Sequence, residues 1–289
     1  MPASDTIERY FTSTDGLRLF YREYPASSGS ARLPVICLPG LTRNSRDFNR
    51  LAPRLQHQLR RVLAPDLRGR GRSQHDPHWQ NYHPGTYIAD LNALFADAGI
   101  DRFVLVGTSL GGILSMLLAG AYPQRVAGVV LNDVGPEVAP EGLARIAAYV
   151  GRHAPVSSWQ DAVASVQATY GFAMPGLADA DWLEHAQRSY TDVNGVPQLD
   201  MDPMIGEAVR SAPTAAAPDL WPLYAALRPI PTLALRGESS DILSVMTFDR
   251  MQREKPDLIR VSVPHRGHAP LLDEPECIAA IDAFMASVP

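Results

Sequence analysis

Gly107-Thr108-Ser109-Leu110-Gly111 decides how the chain reads. The four residues before it, Phe103-Val104-Leu105-Val106, are apolar and β-branched enough for a buried strand. The run that follows, 112–120, is rich in Leu, Ala and Met and suits a helix. A serine on so tight a strand-to-helix turn is held in a strained backbone conformation. Both glycines are needed, because a side chain at either would clash with the flanking elements. The turn lifts the hydroxyl clear of the fold at a helix N-terminus, which presents a weak nucleophile for attack on a carbonyl. The pentapeptide alone also fits a glycine-rich turn with an inert serine, so the rest of the chain must supply the partners.

Outward from that turn, strands alternate with helices. Residues 7–24 read as a hairpin about Asp15-Gly16. Pro34-Val35-Ile36-Cys37-Leu38 reads as a buried strand, followed by the loop Pro39-Gly40-Leu41-Thr42. A polar helix is expected around 45–56, and Arg61-Val62-Leu63-Ala64 gives a strand ending at Pro65-Asp66. Tyr87, Ile88, Leu91, Leu94 and Phe95 recur at helical spacing over 84–98. Strands follow at 126–131, 231–235 and 258–263, with a closing helix over 275–286. This order implies a mostly parallel sheet covered on both faces. From about 135 the alternation lapses. The segment to 228 is rich in Ala, Pro and polar residues, has helical runs at 141–150, 159–170 and 181–190, and shows no strong strand run. The expected organisation is a core of residues 1–134 and 229–289 with a helical cap, 135–228, inserted into it.

A chain of 289 residues is ample for such a core plus an insertion. A net charge of −5 and the lack of a basic run argue against a nucleic-acid partner. No apolar stretch approaches the roughly 20 residues of a membrane span. The polar start, residues 1–9, lacks the apolar segment of a signal peptide, so a cytoplasmic location is expected. Cys37 falls in a strand and Cys277 in a helix, and they read as two separate buried thiols. Neither a metal nor an organic cofactor is indicated. His75, His78 and His83 cluster in sequence, but without the ligand spacing of a zinc site, and a solvated loop accounts for them.

A serine nucleophile needs a base, and the base needs an orienting acid. Strand 231–235 leads into Arg236-Gly237-Glu238-Ser239-Ser240-Asp241, and strand 258–263 into Pro264-His265-Arg266-Gly267-His268-Ala269-Pro270. In a parallel sheet both loops emerge at the carboxyl edge that carries the Ser109 turn. Ser109, Asp241 and His268 can therefore converge, in the chain order Ser, Asp, His.

With Leu38-Pro39-Gly40-Leu41, Asp66-Leu67-Arg68-Gly69-Arg70-Gly71-Arg72-Ser73 and Gly107 to Gly112, these segments show a common order and spacing. By them the chain resembles, over its whole length, the α/β-hydrolase fold family. The resemblance implies an eight-stranded, mostly parallel sheet flanked by helices. It also implies Ser109 as nucleophile, His268 as general base and then acid, and Asp241 as the acid that orients His268. Asp133, after strand 126–131, is the alternative, since some relatives place the acid there; otherwise it reads as a structural or pocket-lining carboxylate. The implied oxyanion hole uses the backbone N–H groups of Leu110 and Leu41. Many relatives have His-Gly where this chain has Pro39-Gly40. Proline has no N–H, but the implied donor lies two residues on.

Other residues take plainer readings. Thr42 and Arg43, beside that loop, are candidates for substrate contact. So are Trp159 and Met204, although Trp159, Trp182, Trp221, Met174, Met201 and Met204 are expected mainly to fill the cap's own core. His265 reads as a surface histidine. Arg68, Arg70 and Arg72 read as a structural loop ion-paired with Asp66.

The expected reaction is acyl transfer to water: hydrolysis of a small or medium carboxylic ester through an acyl-enzyme, with an ester or lactone as the small-molecule partner. A lactone, or the C–C bond of a ring-cleavage ketone, is the second chemistry. A ligand-binding member of the fold without catalysis is the third. Serine at the turn argues against dehalogenase and epoxide-hydrolase chemistry, which needs a carboxylate there.

Overall fold

The computed structural model describes residues 6–26, 32–152, 154–211 and 219–289. Residues 1–5 of the polar start, and 153 and 212–218 of the expected cap, lie outside the described residues.

The N-terminal hairpin pairs β1 (Ile7–Thr12) with β2 (Arg18–Tyr24). Next come β3 (Val35–Leu38), a 3-10 turn at Ser45–Phe48, α1 (Leu51–His57) and β4 (Val62–Asp66). The helix expected over 45–56 is thus broken in two. Pro53 has no N–H to donate and fits only a helix's first turn, so α1 begins two residues before it. Then follow α2 (Pro84–Asp97), β5 (Phe103–Thr108), α3 (Leu110–Ala121) and β6 (Val126–Asn132).

Between β6 and the next sheet strand lie α4 (Pro140–Tyr149), α5 (Trp159–Tyr170), α6 (Asp179–Ser189), β7 (Tyr190–Val193), β8 (Val196–Leu199), α7 (Met204–Arg210) and α8 (Trp221–Ala225). The β7–β8 hairpin corrects the expectation of a strand-free insertion. Asn194 and Gly195 both take positive φ, 55° and 86°, as a two-residue hairpin turn requires. The chain closes with β9 (Thr232–Gly237), α9 (Val245–Glu254), β10 (Ile259–Val263) and α10 (Pro275–Ser287).

Eight strands form one sheet in the order β1-β2-β4-β3-β5-β6-β9-β10, antiparallel at β1–β2 and β2–β4 and parallel elsewhere. Alternate residues face opposite helical layers. Ile36, Leu63 and Leu105 pack with Leu91 and Phe95 of α2 and Leu114 of α3. Val35, Val62 and Val104 pack with Leu51 and Leu55 of α1 and Phe284 of α10. The central strands are therefore buried on both faces, as their continuous apolar runs require. Cys37 and Cys277 are free and buried.

The arginine loop after β4 is structural, but not through Asp66. Arg68 is paired with Asp15, Asp76 and Asp90, Arg72 with Glu8, and Arg70 donates Nε to the Leu41 carbonyl at 2.8 Å. The buried Asp66 carboxylate instead accepts the backbone N–H groups of Ser45 (2.7 Å) and Arg72 (2.8 Å).

Candidate active site

Ser109 joins β5 to α3 with φ 52° and ψ −116°, a strained positive-φ conformation forced by close packing. A Cβ on Gly107 would lie 2.3 Å from the Gly111 carbonyl oxygen, and one on Gly111 2.0 Å from that of Leu38. No side chain fits at either position. Ser109 Oγ lies 2.9 Å from His268 Nε2, and His268 Nδ1 lies 2.8 Å from Asp133 Oδ2. A carboxylate can only accept, so Nδ1 carries the hydrogen and Nε2 is left to accept from the serine hydroxyl.

Asp133 is fully buried just past the end of β6. Its Oδ1 accepts the Gly237 N–H at 2.8 Å, and its Oδ2 accepts the Ser240 hydroxyl at 2.7 Å as well as His268. Three donors fix one carboxylate. The expected partner of His268, Asp241, makes no such bond. Arg145 of α4 donates Nε (2.5 Å) and Nη2 (2.9 Å) to its two oxygens. Burial raises the Asp241 pKa, but the hydrogen bonds and charge of Arg145, with the charge of His268, outweigh it and hold it below the ordinary 3.8. The physical reason is sheet order. Because β6 lies directly beside β5, the residue that follows it rises next to the Ser109 turn. The loop after β9 tucks Ser240 under Asp133 and leaves Asp241 facing the insertion. Asp133 is thus beneath His268 and not on the cleft wall.

Gly40 sits close enough to the Ser109 turn that an added Cβ would touch Ser109 Cβ at 3.7 Å. Leu41 follows it, with its carbonyl held by Arg70. Leu110 opens α3, where backbone N–H groups have no intrahelical partner. Thr42 and Arg43 line the cleft over Ser109. Arg43 is forked onto Asp47, Nε to Oδ2 at 2.9 Å and Nη2 to Oδ1 at 2.6 Å. Trp159 and Met204 do not line it. Trp159, first in α5, donates its indole N–H to Asp192 at 3.3 Å and packs on the insertion's own core. Met204 is 43% exposed.

The insertion instead contributes Tyr149, Tyr170, Met174, His185 and Arg188 to the cleft, which encloses about 80 Å³. Of these, sequence reasoning weighed only Met174. The available signal was in α6, where Trp182, His185, Ala186 and Arg188 share a buried stripe. A histidine and an arginine at core positions of a helix are unusual and need partners.

Among the described residues, no group of three or more His, Cys, Asp or Glu is placed to hold a metal ion, and no helix is long and apolar enough to cross a membrane. His83 caps α2, His75 lies 3.6 Å from Asp202, and His265 is exposed.

Residues 34–275 match the alpha/beta hydrolase fold family. The crystal structure of an alpha/beta hydrolase from Novosphingobium aromaticivorans is similar at 48% identity and a TM-score of 0.91, covering 98% of this chain and 99% of that one. A 3-hydroxybutyrate-oligomer hydrolase of Cupriavidus necator is 33% identical over 86% of this chain and 87% of its own length. A 2-(acetamidomethylene)succinate hydrolase of Mesorhizobium japonicum is 32% identical over 79% of each. The sheet order, the Ser109 turn and these matches agree that the chain belongs to the α/β-hydrolase fold family.

Proposed function

We propose that this hydrolase cleaves small carboxylic esters through a covalent acyl-enzyme. Ser109 is the nucleophile, His268 the general base and then acid, and Asp133 the acid that orients it. The hydrogen-bonded chain from Ser109 through His268 to Asp133 carries this reading. Ser109 Oγ attacks the ester carbonyl while His268 Nε2 takes its proton. The backbone N–H groups of Leu110 and Leu41 stabilise the oxyanion, each worth about 2.7–4 kcal/mol to the transition state. Collapse expels the alcohol, protonated by His268. Water, deprotonated by the same imidazole, then releases the acid and regenerates Ser109.

The insertion acts as a cap. Its side chains narrow the cleft to about 80 Å³, which favours small substrates. The relative named for 3-hydroxybutyrate oligomers supports an ester, since hydroxy acids oligomerise through ester bonds. The relative named for 2-(acetamidomethylene)succinate supports the second reading, a non-ester bond in a small carboxylate.

The test is hydrolysis of 4-nitrophenyl esters from acetate to long acyl chains by wild type and Ser109→Ala, with fluorophosphonate labelling alongside. Serine-dependent release that peaks at short chains supports the proposal. A labelled, folded protein that cleaves none of them moves the assignment to lactones and C–C bonds.

A further inference from the structure

We propose that the α6 wall of the cleft is a carboxylate-binding subsite, formed by His185 and Arg188 beside Arg43, that selects esters bearing a free carboxylate close to the scissile bond. This rests on the ester reading above and names its substrate class.

His185 and Arg188 lie three residues apart on one face of α6, only 4% and 6% exposed. Both line the cleft that holds Ser109 and His268. Neither ring nitrogen of His185 has a protein partner, and neither does Arg188 Nε. Among the described residues, eight buried side-chain atoms lack one, and three of them fall on this wall. The others are scattered over Arg22, Arg60, Arg70, Asn132 and Glu274. Unpaired buried polar atoms are costly, and three gathered around the nucleophile's cleft point to a ligand.

The charge pattern gives the ligand's sign. Two guanidinium groups, Arg43 and Arg188, line the cleft against one carboxylate, Asp47, which Arg43 already grips. Arg188 Nη2 is paired with Glu184, which also serves Arg50 and is partly exposed, while Arg188 Nε stays unpaired. Burial, with the positive charges of Arg43 and Arg188, pushes the His185 pKa well below its ordinary 6.5. The neutral ring therefore offers one N–H. With Arg188 Nε it makes two donors for the two oxygens of a carboxylate. Edge contacts from Tyr170 (5.1 Å between ring centres) and Trp182 (6.0 Å) hold the imidazole. The small cleft sets the chain length: the carboxylate must lie only a few carbons from the reacting carbonyl.

Two matched pairs of esters test this and tell which side of the bond carries the charge. On the acyl side, 4-nitrophenyl hydrogen succinate is compared with 4-nitrophenyl pentanoate. On the alcohol side, 3-acetoxybutanoate is compared with its methyl ester. Wild type should prefer the charged member of at least one pair. In His185→Phe, which keeps the aromatic packing, and in Arg188→Met, the charged-to-neutral ratio of kcat/KM should fall on the order of ten- to a hundredfold, mainly through KM. His185→Gln, which keeps a donor, should recover part of the loss. A wild type that prefers neutral members of both pairs, or variants that lower both members equally, overturns the subsite. A second arm needs no turnover: butanoate, but not butanamide, should protect Ser109 from a fluorophosphonate in wild type and fail to do so in His185→Phe. Protection without cleavage of any ester keeps the subsite and discards the ester reading. Absence of protection discards the subsite.

Discussion

Two loops at the carboxyl edge of the sheet each present an aspartate, and they use it in opposite ways. After β6, Asp133 is fully buried and held by the Gly237 N–H, the Ser240 hydroxyl and His268. After β9, Asp241 keeps 27% of its side chain exposed and is forked by Arg145 from α4. Both satisfy the chain order Ser, Asp, His, so the order alone does not choose between them. Position in the sheet does. The aspartate bonded to His268 is the one whose strand neighbours that of Ser109 and whose oxygens are already fixed by fold donors. The other carboxylate is left to tie the insertion to the core.

The largest expected effect separates the two. Asp133→Asn should lower kcat by about 10⁴, through the wrong imidazole tautomer, and should also lower the melting temperature, because the amide cannot accept from all three donors. Asp241→Asn should lower kcat/KM by no more than about fivefold, the equivalent of about 1 kcal/mol for a partly exposed ion pair. Steady-state kinetics on one activated ester, with thermal melts of both variants, decides the matter. The reverse ranking would give the orienting role back to Asp241.

An intermediate effect sharpens the comparison. Ser240→Ala removes a hydroxyl donor from Asp133 Oδ2 and an acceptor for the Ile242 and Leu243 N–H groups. The lost bond to a charged group is worth about 1.5–3 kcal/mol, so kcat should fall on the order of tenfold or more while KM holds. A fall in stability alone, with kcat intact, would mean that Ser240 supports its own loop and not the acid.

These two aspartates also mark the limit of what the sequence could tell. Gly107 and Gly111 were legible because the requirement is local: no side chain fits beside Ser109. His268 was legible because its loop follows a parallel strand. The choice of acid was not, because it depends on β6 lying beside β5 and on Ser240 turning under Asp133, both set by pairings more than 20 residues apart in the chain. The β7–β8 hairpin was legible and missed. Asn194-Gly195 is a strong turn signal, but four-residue flanks with Pro197 carry little strand pattern. The cleft wall misled differently. Trp159 is large and apolar but satisfied within the insertion, whereas His185 and Arg188 betray the cleft through buried ring and Nε nitrogens that lack partners.

The smallest expected effect concerns the Asp241–Arg145 pair itself. Burial works to raise the Asp241 pKa, yet the pull of Arg145 holds it in the folded state below the unfolded 3.8. A depressed carboxylate stabilises the fold fully above its unfolded pKa and loses that contribution as pH falls through its folded pKa. Both partners are partly exposed, so the contribution near neutrality should be about 0.2–1 kcal/mol. Wild type should therefore melt slightly above Asp241→Asn at pH 7, and the gap should close as the pH is lowered beneath 3.8, where the aspartate becomes a neutral group like its replacement. When Arg145→Gln is introduced into both proteins, the gap between them at pH 7 should vanish, because the aspartate then has no guanidinium to face. A gap that survives at low pH, or in the Arg145→Gln background, would show that Asp241 stabilises the loop after β9 directly. The contrast between the aspartate that holds His268 and the one that anchors would then have to be redrawn around the loop, and no longer around the insertion it reaches.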